Sequence, residues 1–298
     1  MNLLWSYAYA RNTKLDATLA SWPVDRVRFF ADSGAHSART LGIHLDCESY
    51  GQWLLKWHEH FTVYANLDVI YGPTATWENQ QRLEGMGLSP LPVFHTGEPW
   101  SALERYLDNG YTYIALGKLL GNPWKSLRPW LAQAFRMAEG TAVFHGFGLT
   151  SWRAIREFPF YSVDSTSWTK PYRWGMLTLF DSGRWVTIKL RDRSDVMAHR
   201  GVLESYGADL RLFTHDGYSR KRIAALSAEA YVRAGEWARA QHGKVQLPPG
   251  KGYPTGALSP MVEAAQDCDG FTLYLAEGGD WSHRAHAMAV AARQAVSA

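Results

Sequence analysis

A pattern repeated over the first half of this 298-residue chain constrains its fold more than any other feature. A short apolar run rich in β-formers gives way to a polar or glycine turn, then to a helix-like stretch, then to another apolar run. The runs fall at 3–7, 27–31, 61–65, 91–95, 111–116, 141–144 and 160–163, with helix-like segments at 49–60, 75–86, 99–109 and 123–138 between them. Parallel strands need crossover connections of this kind, and such crossovers are right-handed. The spacing therefore predicts an α/β fold, a TIM-type (β/α)8 barrel, which the chain length suits.

Most of these runs lead into a residue that carries chemistry. Asp32 follows the second run and Asp68 the third; His95 closes the fourth; Gly117 and Lys118 follow the fifth, His145 the sixth and Asp164 the seventh. In a barrel of parallel strands these ends gather on one face, where active sites of such barrels are built. Singly, each is also what a strand terminus looks like, and Asp32-Ser33-Gly34 reads equally well as the cap of a following helix.

Beyond Asp164 the pattern changes. Runs at 176–180 and 185–190, joined by Asp181-Ser182-Gly183-Arg184, predict a β-hairpin. Residues 219–241 have helical spacing, with Arg220, Lys221 and Arg222 in the first turn. A Pro- and Gly-rich loop follows at 244–260, then a run at 270–275 that would supply the eighth strand, then an alanine-rich terminal helix. The expected organisation is the main part of the barrel over 1–170, an inserted or appended basic hairpin and helix over 171–260, and the closing strand and helix over 261–298.

With 46% hydrophobic and 20% charged residues the chain is neither disordered nor membrane-spanning in composition. Two cysteines, Cys47 and Cys268, make no disulfide scaffold and no thiolate zinc site. The first residues show no secretory signal and no run is long enough to span a bilayer, so a cytoplasmic protein is expected. The formal charge of +3 does not itself imply nucleic acid. Residues 170–240, however, hold 13 Lys and Arg against 8 Asp and Glu, which leaves the remainder slightly acidic.

Two carboxylates at separate strand ends can flank a glycosidic bond, one as nucleophile and one as acid/base; Asp164 and Asp32 are the candidates. Trp168 and Tyr172, interleaved with Lys170 and Arg173, are candidates for base stacking and phosphate contact, or for core packing with snorkelling cations. His95 and His145 invite a metal reading, but the His-x-His that opens metal-dependent amidohydrolase barrels is absent from the first run, and pocket lining or hydrogen-bonded turns suit them better.

The order of motifs resembles the tRNA-guanine transglycosylase (queuine tRNA-ribosyltransferase) superfamily. Asp32-Ser33-Gly34 resembles the family's Asp-Ser-Gly-Gly strand end, with Ala35 in place of the second glycine. Asn66-Leu67-Asp68, followed by Pro73 and Thr74, is similar to the segment that reads the purine edge. Leu116-Gly117-Lys118-Leu119-Leu120-Gly121 resembles the Gly-Gly-Leu-x-x-Gly loop under the base, and Val163-Asp164 stands where the nucleophile does. The family's zinc cluster has no counterpart here, Lys118 replaces a loop glycine, and Ser165 to Ser167 stand where an arginine is expected. These departures favour the divergent phage and bacterial branch that exchanges guanine in DNA.

The resemblance implies a DNA-guanine transglycosylase that inserts a 7-deazaguanine, such as 7-cyano-7-deazaguanine, through a covalent aspartyl-sugar intermediate. Asp164 would be the nucleophile and Asp32 the proton carrier. Ser33, Gly34, Asp68, His95, Gly117, Lys118 and His145 would surround the base. Trp168, Lys170, Tyr172, Arg173, Arg191, Arg220, Lys221 and Arg222 would contact nucleic acid. No organic cofactor and no structural metal are implied; the partners are DNA, the free base, and a second copy or helper protein. A tRNA substrate, a two-carboxylate glycoside hydrolase whose tryptophans are sugar platforms, and a non-catalytic nucleic-acid binder stay open as alternatives.

Overall fold

A computed structural model of the chain describes residues 2–12, 15, 28–169, 174–214, 220–243, 245–254 and 271–276. Eight parallel strands form one curled sheet: β1 (Asn2–Ser6), β2 (Arg28–Asp32), β3 (Val63–Tyr64), β4 (Val93–His95), β5 (Tyr113–Gly117), β6 (Val143–Gly146), β7 (Ser162–Ser165) and, after a separate antiparallel hairpin of β8 (Met176–Asp181) and β9 (Arg184–Lys189), β10 (Thr272–Ala276). Their order is β3-β2-β1-β10-β7-β6-β5-β4, so the run at 270–275 does join β7 to β1. The two edges meet at one parallel bridge between Ala65 and Leu91, where Leu91 N–H donates to the Tyr64 carbonyl at 2.8 Å and Asn66 N–H to the Leu91 carbonyl at 2.9 Å. No ladder extends that bridge among the described residues. The architecture is a TIM-like curled sheet with an open seam between β3 and β4.

Both faces of the sheet are covered, which is why its strands read as nearly continuous apolar runs. Alternate residues separate by face: Leu4, Phe30, Val63, Tyr113, Ala115 and Tyr274 pack together in one cluster, whereas Leu3, Trp5, Phe29, Ala31 and Ile114 belong to another with the helices. The helix Cys47–Trp57 shows how the second cluster is built. Asp46 caps it by accepting the Ser49 amide at 2.7 Å, and Tyr50, Leu54 and Trp57 then fall on its buried side. Helices Pro73–Gly85, Trp100–Asp108 and Trp124–Met137 occupy the other predicted segments.

Several boundaries differ from the sequence expectation. The first strand stops at Ser6 and the chain turns at once into the short helix Tyr7–Ala10. Tyr111 does not begin β5; it bridges Lys251 instead, bringing the segment 245–254 against that end of the sheet. Thr112 Oγ1 donates to the Pro248 carbonyl at 2.8 Å, and Leu247 and Tyr253 pack against the cluster that holds Leu4 and Phe30. The amino-terminal end is thereby obstructed, and the carboxyl ends of the strands are left as the mouth.

The hairpin is where the Asp181-Ser182-Gly183-Arg184 signal put it, and it packs with helix Arg220–His242 around Leu177, Leu179, Ile188, Leu226 and Ala230. The same helix sends Ala225, Ala228 and Ala238 into the core of the curled sheet. Trp152 also fastens the hairpin, its indole N–H donating to the Gly183 carbonyl at 3.0 Å. Among the described residues no helix is long and apolar enough to cross a membrane. The expected terminal helix lies outside the described residues.

Candidate active site at the strand ends

Strand register puts the loaded ends level with one another: Ser6 pairs with Asp32, His95 with Gly117, Leu116 with Gly146 and Gly146 with Val163. The chain leaves β2 through a turn only glycine can make. Gly34 has φ 77°, and a Cβ there would lie 2.1 Å from Ser6 Oγ and 2.7 Å from Ala8 Cβ. Of the Asp32-Ser33-Gly34 turn it is Gly34 that stands at the N-cap of helix Ala35–Leu41, with no side-chain cap, and Asp32 Oδ2 accepts the Gly34 amide at 3.0 Å.

Asp32 is half-buried, and burial raises its pKa well above the usual carboxylate value; the charges of Asp68 and Asp164 push it further in the same direction, against the amides of Gly34 and Ser33. Carboxylates at the ends of, or in the loop after, three different strands thus lie close enough for each neighbour's charge to be felt by Asp32.

Asp68 is held by two partners, Ser33 Oγ donating to Oδ1 at 3.2 Å and His95 Nε2 lying 2.9 Å from Oδ2. The other nitrogen of His95, Nδ1, is 2.9 Å from Glu98 Oε1. Burial opposes the charge on His95, but the two carboxylate hydrogen bonds prevail and lift its pKa to about 9. Since carboxylates only accept, both ring nitrogens donate and the ring is an imidazolium at neutral pH. Gly117 makes room for it: a Cβ there would sit 2.5 Å from His95 Cδ2.

His145 is the opposite case. It is fully buried, and burial depresses its pKa despite the nearby Asp164. The ring is therefore neutral, and its neighbours assign the tautomer. Nε2 faces Asp164 Oδ1 at 3.3 Å and must carry the hydrogen; Nδ1, 2.6 Å from Ser162 Oγ, accepts. Ser162 in turn accepts from Tyr113 OH at 2.5 Å. The Gly148 amide also donates to Asp164 Oδ1, at 2.7 Å. Both contacts fall on one oxygen, so Asp164 Oδ2 has no hydrogen-bond partner among the described residues.

The site thus joins Asp32, Ser33, Gly34, Asp68, His95, Gly117, His145 and Asp164, and adds Ser162, Tyr113 and Glu98, which the sequence reading missed. Ser162 precedes Asp164 by two in a strand and so shares its face, and Glu98 follows His95 by three in a tight turn; both offsets were visible signals. Lys118 lies at the rim with its ammonium 4.0 Å from the Tyr71 ring centroid. Among the described residues no three His, Cys, Asp or Glu side chains group to hold a metal ion.

One expectation is corrected. Trp168 is 1% exposed, its indole N–H donates to the Ala276 carbonyl at 3.0 Å, and its own carbonyl accepts from Ser227 Oγ at 2.7 Å. It ties β7, β10 and the long helix together and is no stacking platform for a base. Lys170, Tyr172 and Arg173 lie outside the described residues, as do the side chains of Arg220 and Lys221. Arg191 and Arg222 are exposed on the appended hairpin unit.

Fold and site together define a TIM-like α/β protein with a mouth of three aspartates and two histidines of opposite protonation state. Comparison with protein-family models, with curated proteins and with solved structures finds no match.

Proposed function

We propose that the chain is a DNA-guanine transglycosylase, exchanging guanine for a 7-deazaguanine through a covalent aspartyl-sugar intermediate. The observation that carries this reading is the division of labour among the carboxylates: Asp164 has one oxygen tied and one open, while Asp32 is pushed toward its protonated form beside it. A nucleophile needs an oriented, ionised oxygen, and a proton donor needs a raised pKa.

In the first step Asp164 Oδ2 bonds to C1′ as the C1′–N9 bond breaks. The departing guanine takes the bond's electron pair, and Asp32 supplies the proton that neutralises it. The 7-deazaguanine enters, Asp32 takes its N9 proton, and N9 displaces Asp164 from C1′. Two inversions give net retention and regenerate the Asp164 carboxylate and the protonated Asp32. The neutral Nε2–H of His145 stabilises the Asp164 carboxylate as it leaves the sugar, and the Ser162–Tyr113 chain keeps that hydrogen pointed at it. Asp68, braced by Ser33 and the charged His95, is an acceptor for the polar edge of the base. DNA is favoured over tRNA by the sequence departures above, and a reacting base must be unstacked to reach such a mouth.

The test is incubation of the protein with DNA carrying radiolabelled guanine and excess 7-cyano-7-deazaguanine, with tRNA in parallel. Label release from DNA that vanishes in Asp164→Ala is expected. Absence of release from either polymer by folded protein overturns the reading.

A further inference from the structure

Three non-glycine residues among those described have a left-handed backbone: Tyr71 (φ 65°), Lys118 (φ 55°) and Ser182 (φ 47°). Ser182 lies in the hairpin turn. The other two belong to the loops after β3 and β5 and meet over the mouth, where Lys118 Nζ is 4.0 Å from the centroid of the Tyr71 ring. The guanidinium carbon of Arg39, from the helix after Asp32, is 5.7 Å from the same centroid. Strain of this kind persists only where the surroundings enforce it, and it tends to gather at sites of function.

What the strain achieves here is unusual for a tyrosine: it is 63% exposed, with Leu120 at 60% and Val69 at 39%. From Asp68 a cleft of about 630 Å³ opens beneath it, lined among others by Arg39, Val69, Tyr71 and Arg82, with Glu78 and Asp46 also on its wall. An exposed aromatic face, two cations on it and an open cleft that reaches Asp68 match the repeat of an unpaired strand, in which bases stack and phosphates need cations. Exposed cation–π contacts are weak, so either cation can leave the ring for a phosphate and bare the face for a base.

We propose that Tyr71, Lys118 and Arg39 form a clamp for the nucleotide flanking the reacting one in single-stranded nucleic acid, its base stacked on Tyr71 and its phosphates on the two cations. This rests on reading the mouth as a base-exchange site. The clamp occupies the role that Trp168, buried in the core, cannot fill.

The test is fluorescence anisotropy of a fluorescein-labelled single-stranded oligodeoxynucleotide containing one guanine, with the full chain as wild type, Tyr71→Ala, Tyr71→Phe and Arg39→Gln, each checked for unchanged circular dichroism. Loss of one stacked base is expected to weaken binding roughly 5- to 100-fold in Tyr71→Ala. Tyr71→Phe should bind within about twofold of wild type, since the ring face is kept. Arg39→Gln should lower the slope of log affinity against log salt by about 0.7, one phosphate contact on a single strand. Equal affinity of wild type and Tyr71→Ala, or equal losses in Tyr71→Ala and Tyr71→Phe, overturns the clamp. Label release read in the same samples separates the two proposals. Release without dependence of binding on Tyr71 overturns the clamp and leaves base exchange, whereas Tyr71-dependent binding without release does the reverse.

Discussion

Burial, Asp68 and Asp164 all press Asp32 toward its protonated form, so the folded protein holds this proton more tightly than the unfolded chain does. The linkage has a definite sign. Near pH 3.8, the group's ordinary pKa, the effect on stability is small. As pH rises toward the elevated folded pKa, the native state is increasingly penalised, because the unfolded chain gains by ionising this carboxyl while the folded protein, where the charge would be desolvated and near two others, holds the proton. Asp32→Asn keeps an acceptor for the Gly34 amide and removes that charge. Its thermal midpoint should exceed that of wild type at neutral pH, by the equivalent of about 1 kcal/mol, and the advantage should shrink as pH is lowered toward 4. The proposed guanine release should be lost in the same variant. Calorimetry across pH, with the exchange assay beside it, checks both; a variant less stable than wild type at neutral pH would contradict the electrostatic account. At this scale Asp32, Asp68, His95 and Asp164 were legible because strand ends can be read from sequence and parallel topology gathers them. Tyr113 was not, since a tyrosine inside an apolar run carries no mark of where its hydroxyl goes. For Trp168 the core-packing reading holds and the stacking one fails, because aromatic and basic neighbours in sequence say nothing about which side chain turns inward.

At the scale of elements, the long helix Arg220–His242 joins the curled sheet to the hairpin. Residues 223–228 are buried without interruption, which an ordinary amphipathic surface helix would not show. Small side chains let it fit: Ala228 packs toward the sheet and Ala224, Ala230 and Ala234 toward the hairpin. Ala228→Leu inserts three carbons into a filled space and should destabilise the protein by about 1–3 kcal/mol. Ala240→Leu, on the exposed part of the same helix, should leave the melting temperature nearly unchanged. Thermal denaturation of the two variants distinguishes a sandwiched helix from one lying loosely on the surface, for which the substitutions would behave alike. The helix itself was predictable from its spacing, and so was the hairpin from its turn. Their mutual burial was not, because periodicity shows that a helix has an apolar side but not that two bodies share it. The bridge between Ala65 and Leu91 was similarly invisible, since edge pairing depends on how far the whole sheet curls.

For the whole molecule, the distribution of charge decides how a polyanion would be met. The formal charge is only +3, so affinity must come from local concentrations of cations, not from a general field. Part of the basic surplus beyond residue 170 is engaged internally: Arg200 pairs with Glu204, Arg211 with Asp209 and Arg233 with Glu229, and Arg239 donates to the Phe271 carbonyl. Arg184, Lys189, Arg191, Arg193 and Arg222 are exposed. The hairpin unit that carries most of them packs on Trp152 and Trp237. Changing these five residues to Gln takes the formal charge from +3 to −2 and should leave the guanine-exchange chemistry on a free nucleoside intact. On a single strand each lost phosphate contact flattens the salt slope by about 0.7, so a slope reduced by as much as roughly 3.5 is expected if all five lie along the backbone. An unchanged slope in the five-residue variant, with Arg39→Gln still lowering it, would confine the nucleic-acid surface to the mouth and leave the hairpin unit a purely structural attachment.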